Sequence, residues 1–166
     1  MQLMAWAIPI GVGATLLMDL WAIVLKRVFG VQSLNYAMVG RWLGNMRVGR
    51  FTHQHIAEAP RVAGEGAIGW AAHYGIGIFF AALLLIGCGQ DWARQPTVGP
   101  AVVAGLLTVT APFLVMQPAM GFGVAASKTP KPNVARLRSI ATHLIFGLGL
   151  YASAWVLARL QDAFQQ

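Results

Sequence analysis

Carboxylates are scarce in this chain. Its 166 residues include five Asp and Glu against twelve Lys and Arg, and charged residues of either sign make up only 10%. A soluble domain carries roughly 25%, so an ordinary water-soluble globule, a disordered tail and a coiled coil are all excluded. Cysteine is almost absent as well. Cys88 stands alone, which rules out an intramolecular disulfide framework and any CxxC zinc or redox motif. What fills the chain instead is apolar, at 57% hydrophobic residues, and the length suits one small domain.

Apolar runs of about 20 residues are long enough to cross a bilayer as helices. Four occur: residues 3–25, broken only by Asp19; residues 67–87, which contain His73; residues 98–120, with Pro112, Gln117 and Pro118; and residues 139–158, with His143 near the start. The first has no basic region before it, is longer than a signal-peptide core and runs straight into Lys26 and Arg27. It therefore reads as a retained helix. The pattern predicts an all-α membrane protein, a four-transmembrane-helix up-down bundle forming a single domain over residues 1–166, with a short interfacial helix in its first loop.

Lysine and arginine set the expected orientation. Residues 26–66 carry six, the segment between the third and fourth spans carries four, and only Arg94 and Arg159 lie elsewhere. Both long loops are thus expected in the cytoplasm and both termini outside. The net charge of +7 then reads as a topology signal with attraction to anionic lipid headgroups, and nucleic acid is not an expected partner. Within the first loop, Ser33 is the expected cap of a helix placing Leu34, Met38 and Trp42 on one face. Trp42 would sit at headgroup level, with Arg41, Arg47 and Arg50 facing lipid headgroups or a partner protein. A second helical turn is expected between Thr52 and Pro60.

The second and fourth spans echo one another. Gly69, His73, Gly77 and Ala81 follow steps of four, as do Ser139, His143, Gly147 and Tyr151. Residues 16–19 (LLMD) and 114–117 (LVMQ) give the first and third spans a weaker echo. Two parallel-repeat helical hairpins are the expectation. The small residues around each histidine suit close helix packing or the approach of a flat cofactor.

Counting along the helices puts Asp19 about 10 Å from its basic end, His73 at a similar height and His143 about 7–8 Å in, with Met116, Gln117 and Met120 at the inner end of the third span. An acid facing lipid would cost about 2.5–3.5 kcal/mol, so Asp19 is expected to face protein. Asp19, His73, Gln117 and His143 form the candidate proton or ligand layer. Asp19, His73 and His143, with Met116 as a further donor, have residue types that suit a transition metal, and His73 with His143 would suit a b-type haem. The competing reading is structural: such groups also hydrogen-bond one another simply to fix helices. His53, His55 and Glu58 have ligand types but no spacing that distinguishes them from a hydrated loop, and Cys88 reads as a small apolar side chain. Pro112 and Pro118 are expected to kink the third span and free carbonyls near residues 108 and 114.

Residues 13–21 (GATLLMDLW), 34–42 (LNYAMVGRW), 69–77 (GWAAHYGIG) and 111–121 (APFLVMQPAMG), with residues 135–139 and 143–151, resemble the DUF2938 family of small bacterial membrane proteins. The resemblance spans almost the whole chain. It implies a multi-pass protein of the bacterial inner membrane and supports the four-helix reading, but it carries no activity and assigns no site residue. The function classes in view are a protein that binds a transition metal or relays protons, as in ion or small-solute transport; a haem-binding electron carrier; and a non-catalytic membrane scaffold or assembly factor. A wide solute path would require a homo-oligomer. No nucleophile–base pair is legible, which points away from an enzyme.

Overall fold

A helix is the one open-chain form that satisfies every backbone N–H and C=O within a single segment, and the apolar runs all take it. In the computed structural model, which describes residues 2–164, the chain is all-helical. Its long elements are α1 (Gln2–Phe29), α3 (Glu65–Cys88) and α7 (Pro132–Phe164), and a third apolar span, Val98–Ala119, is built from α5 (Val98–Thr108), a π-helical segment (Pro112–Met116) and α6 (Gln117–Ala119). Short helices α2 (Tyr36–Met46) and α4 (Gln90–Arg94) and two 3₁₀ turns, Ile56–Glu58 and Val124–Ala126, complete the order.

Four of these stretches are long and apolar enough to cross a membrane, yet only 17% to 28% of each apolar window is buried inside the protein. Leu16, Leu20, Phe79, Ile86, Leu107 and Val156 are among the large apolar side chains left exposed. Water would penalise such a surface, whereas lipid tails match it.

The chain forms two compact units. The first combines everything up to Ser33 with Tyr74–Thr108 and the chain from Ala141 onward. Its core joins Trp6, Ile10, Leu85, Trp92, Phe146 and Leu150. Helices approach here through glycine, because van der Waals packing without side chains in the way is what holds helices together in lipid. A Cβ on Gly11 of α1 would lie 2.5 Å from the Ile78 Cα of α3, and one on Gly149 of α7 would lie 2.8 Å from the Ala14 Cα of α1. A Cβ on Gly105 of α5 would run into the backbone of Gly147 in α7.

The two helix pairs singled out by the sequence echo use the same device. α1 meets α3 at Gly11 and Gly77, and α5 meets α7 at Gly105 and Gly147. In each, a threonine one turn on donates its hydroxyl back to the glycine carbonyl, Thr15 to Gly11 at 2.7 Å and Thr108 to Gly105 at 2.6 Å.

The second unit comprises Leu34–His73 and Val109–Ile140. Its first helix begins later than the sequence suggests. Asn35, not Ser33, caps α2 by accepting the Ala37 N–H at 3.0 Å, so Leu34 falls outside the helix. The second expected turn contracts to the 3₁₀ turn Ile56–Glu58. α2 lies directly on the start of α3, with Gly40 against the Glu65 carbonyl and Gly69 against the Tyr36 carbonyl. The prolines of the third span are absorbed by a wider turn. The Gln117 N–H reaches back five residues to the Pro112 carbonyl, a widened turn set between Pro112 and Pro118.

Gly11→Ala, Gly105→Ala and Gly149→Ala should each destabilise the protein by about 1–3 kcal/mol, the usual cost of overpacking. Gly75→Ala, whose Cβ meets open space, should change stability by less than about 1 kcal/mol. Denaturant-induced unfolding in detergent micelles measures the contrast.

Candidate functional site

Each ionisable or imidazole group placed in a membrane span by the sequence meets a hydroxyl. In the first unit, Asp19 of α1 is half-buried, and the Tyr74 hydroxyl of α3 donates to its Oδ2 at 2.9 Å. The second such pair joins α5 to α7, with the buried Thr108 Oγ1 2.7 Å from His143 Nδ1. Thr108 has one hydroxyl proton, and the 2.6 Å bond to the Gly105 carbonyl uses it. With that proton directed at the Gly105 carbonyl, the Thr108 oxygen accepts from His143 Nδ1, and the neutral ring then carries its lone pair at Nε2.

The third pair, at His73, belongs to the second unit. The Tyr36 hydroxyl of α2 lies 3.0 Å from His73 Nε2, and the two rings stack with centroids 4.2 Å apart. Trp70, one turn earlier on α3, packs edge-on to His73 at 5.8 Å and against Tyr36 at 4.5 Å. The close Gly40–Gly69 crossing is what lets α2 lay Tyr36 over this face. Gln117, 9% exposed, is placed by the π-helical segment, and its Oε1 is buried without a hydrogen-bond partner among the described residues. Met116 is half-buried beside it in sequence and accepts the Met120 N–H at its carbonyl, 2.9 Å away.

Asp19 and His143 thus stand in one unit, His73 and Gln117 in the other. Among the described residues no three His, Cys, Asp or Glu side chains are grouped closely enough to hold a metal ion. A haem iron bound at His73 Nε2 would displace the Tyr36 hydroxyl. In the loop, the His53 backbone N–H bonds the Ala119 carbonyl at 2.7 Å and its ring Nε2 is buried without a hydrogen-bond partner among the described residues, while His55 and Glu58 are exposed.

The basic residues of the first loop divide. Arg41, grouped by the sequence with headgroup-facing side chains, is instead only 7% exposed and committed inside the protein. Its Nε and Nη2 grip both Glu65 carboxylate oxygens at 2.9 and 2.8 Å, and its Nη1 reaches the carbonyls of Ile56, Ala57 and Ala59 at 3.2, 2.9 and 3.3 Å. The planar fork suits this task because it presents five fixed donors. The bond to Glu65 holds the guanidinium proton even more firmly than usual. Glu65 also accepts the Val62 N–H at 3.1 Å, so one ion pair ties the loop to the start of α3. Trp42 is half-buried and donates its indole N–H to the Phe51 carbonyl at 2.8 Å, whereas Arg47 and Arg50 are exposed.

The residues that sequence reasoning missed are the partners: Tyr36, Tyr74, Thr108 and Glu65. Tyr74 directly follows His73, and Thr108 lies one turn from Gly105, but neither spacing announces its tertiary mate.

Arg41→Lys keeps the charge and loses the fork. Trypsin should then cleave within residues 47–64 on the order of tenfold faster, since cleavage follows the population of opened loop. The same protein with Arg47→Gln should show no such gain at its remaining sites.

A family model described as "Protein of unknown function (DUF2938)" matches residues 8–157. No curated protein and no solved structure matches the chain.

Proposed function

For this chain, which belongs to the DUF2938 family, we propose a multi-pass protein of the bacterial inner membrane that binds and releases protons within its membrane-spanning helices, as in ion or small-solute transport. The observation that carries the reading is the pairing of each intramembrane acid or imidazole with a hydroxyl from another helix, Tyr74 with Asp19 and Thr108 with His143 foremost. Ionisable residues inside a membrane are costly and mark proton or ion paths. A hydroxyl partner suits proton exchange because it stays bonded through both states. Tyr74 donates to the carboxylate, and when Asp19 takes a proton the other oxygen carries it while Oδ2 still accepts. His143 can take a proton at Nε2 while its Nδ1–H remains on Thr108.

Metal binding at Asp19, His73, His143 and Met116 receives less support, because Asp19, His73 and His143 each already bond a hydroxyl. Haem ligation has the same difficulty at His73. The basic loops are assigned to the cytoplasm and both termini to the outside, on the ten-to-two partition of Lys and Arg. A single up-down bundle is the simplest path for four crossings joined in this order.

Infrared spectra of the protein in lipid nanodiscs, recorded over a pH titration, test the reading. A titrating carboxyl band should vanish in Asp19→Asn, move in frequency in Tyr74→Phe and return in Asp19→Glu. The proposal fails if no band assignable to Asp19 gains or loses a proton anywhere in the range over which the protein stays folded.

A further inference from the structure

The loop after α2 has a shape that its sequence does not announce. Asn45 donates its side-chain amide to the Arg41 carbonyl at 2.8 Å, and its own carbonyl accepts the N–H groups of both Val48 and Arg50 at 3.1 and 3.2 Å. Gly49 takes φ +76°, a left-handed turn that lets the chain double back. The Trp42 indole then fixes the Phe51 carbonyl. These bonds hold a tight tip whose side chains point away from the protein: Val48 is 71% exposed and Phe51 59% exposed, with Arg47 and Arg50 exposed alongside them.

An ordered loop that displays a valine and a phenylalanine between two arginines is unusual as a plain hydrated connection. Two apolar side chains held outward lose solvation free energy in water and gain it in an acyl boundary. Two guanidiniums at the same tip need anions, and they present the forked geometry that matches phosphate. The unit around them is poor in competing acids: its sequence has eight Lys and Arg against Glu58 and Glu65, and Glu65 is already taken by Arg41. The tip also lies on the segment joining two apolar spans, α1 and α3, so the chain tethers it to the bilayer.

We propose that residues 47–51 form a docking tip for anionic phospholipid, in which Val48 and Phe51 enter the headgroup–acyl boundary and Arg47 and Arg50 bind lipid phosphate. The occupant is a lipid surface because both halves of its chemistry, apolar and anionic, are matched within five residues. The tip is independent of the proton pairs: the bonds that shape it all lie within residues 41–51. Arg41 and Trp42, by contrast, act behind the tip as its internal supports.

The test uses the full chain with Cys88→Ser and a spin label at Val48→Cys. It is reconstituted in nanodiscs of zwitterionic phosphatidylcholine alone or mixed with anionic phosphatidylglycerol. Relaxation by lipid-soluble oxygen should exceed relaxation by a water-soluble nickel complex in the mixed nanodiscs. In the zwitterionic ones, and in mixed nanodiscs with Arg47→Gln and Arg50→Gln together, that preference should fall several-fold. These are exposed positions, so folding should survive, and unfolding midpoints equal to the parent's confirm it. A label accessible to nickel in both lipids overturns the proposal. So does equal insertion in both, which would show apolar contact without anion recognition. Immobilisation that rises with protein concentration in detergent, before any lipid is added, would identify a second copy of the chain as the occupant and overturn it too.

Discussion

Hydrocarbon offers no hydrogen bonds, and nearly everything in this structure answers to that fact. The backbone satisfies itself by closing into helices wherever the sequence is apolar for about 20 residues. Side chains cannot do so alone, and an acid or imidazole left in a span must find another group, although the buried Gln117 Oε1 has no hydrogen-bond partner among the described residues. Thr15 and Thr108 turn back on their own helices, Tyr74 goes to Asp19, and Thr108 serves Gly105 and His143 together. Glycine contacts serve the same end by another route. With lipid as apolar as leucine, close backbone packing is the gain that remains, and Gly11, Gly105 and Gly149 permit it.

The second unit works under different rules, because it carries eight of the twelve Lys and Arg. Arg41 organises it. One guanidinium collects a carboxylate and three carbonyls from residues 56–59 and 65, so a stretch with little regular structure is held by polar bonds around the buried Ile56. Cations elsewhere in the loop are left outward. The sequence distinguishes these two uses of arginine poorly, since both occur on or beside one short helix.

Element existence was legible because apolar run length is a strong signal. Residues 67–87 became Glu65–Cys88, and residues 98–120 became Val98–Ala119. Boundaries slipped where the helix continues through polar residues. α7 begins at Pro132, seven residues before the apolar run, because proline suits a first helical turn and nothing after it breaks the helix. α1 likewise extends past Lys26 and Arg27 to Phe29. The cap of α2 was misplaced by two residues because Ser33 and Asn35 are equally good caps, and only the fold selects between them. Of the candidate site, Asp19, His73 and His143 could be picked out as costly residues in apolar surroundings. Their partners could not: a tyrosine or threonine in a membrane helix is unremarkable until its neighbour is known. Arg41 misled for a related reason, since burial of a long cation depends on a glutamate 24 residues away.

The central claim is that the acid and imidazole groups within the spans are paired inside the protein in defined geometries, and His143 offers its most direct measurement. Nitrogen NMR of histidine-labelled protein in nanodiscs, at a pH where the ring is neutral and with the signal assigned by His143→Gln, reports which ring nitrogen holds the proton. The account predicts the proton on Nδ1, with that preference lost in Thr108→Val. A ring protonated at Nε2, or one averaging freely between its tautomers, would contradict it.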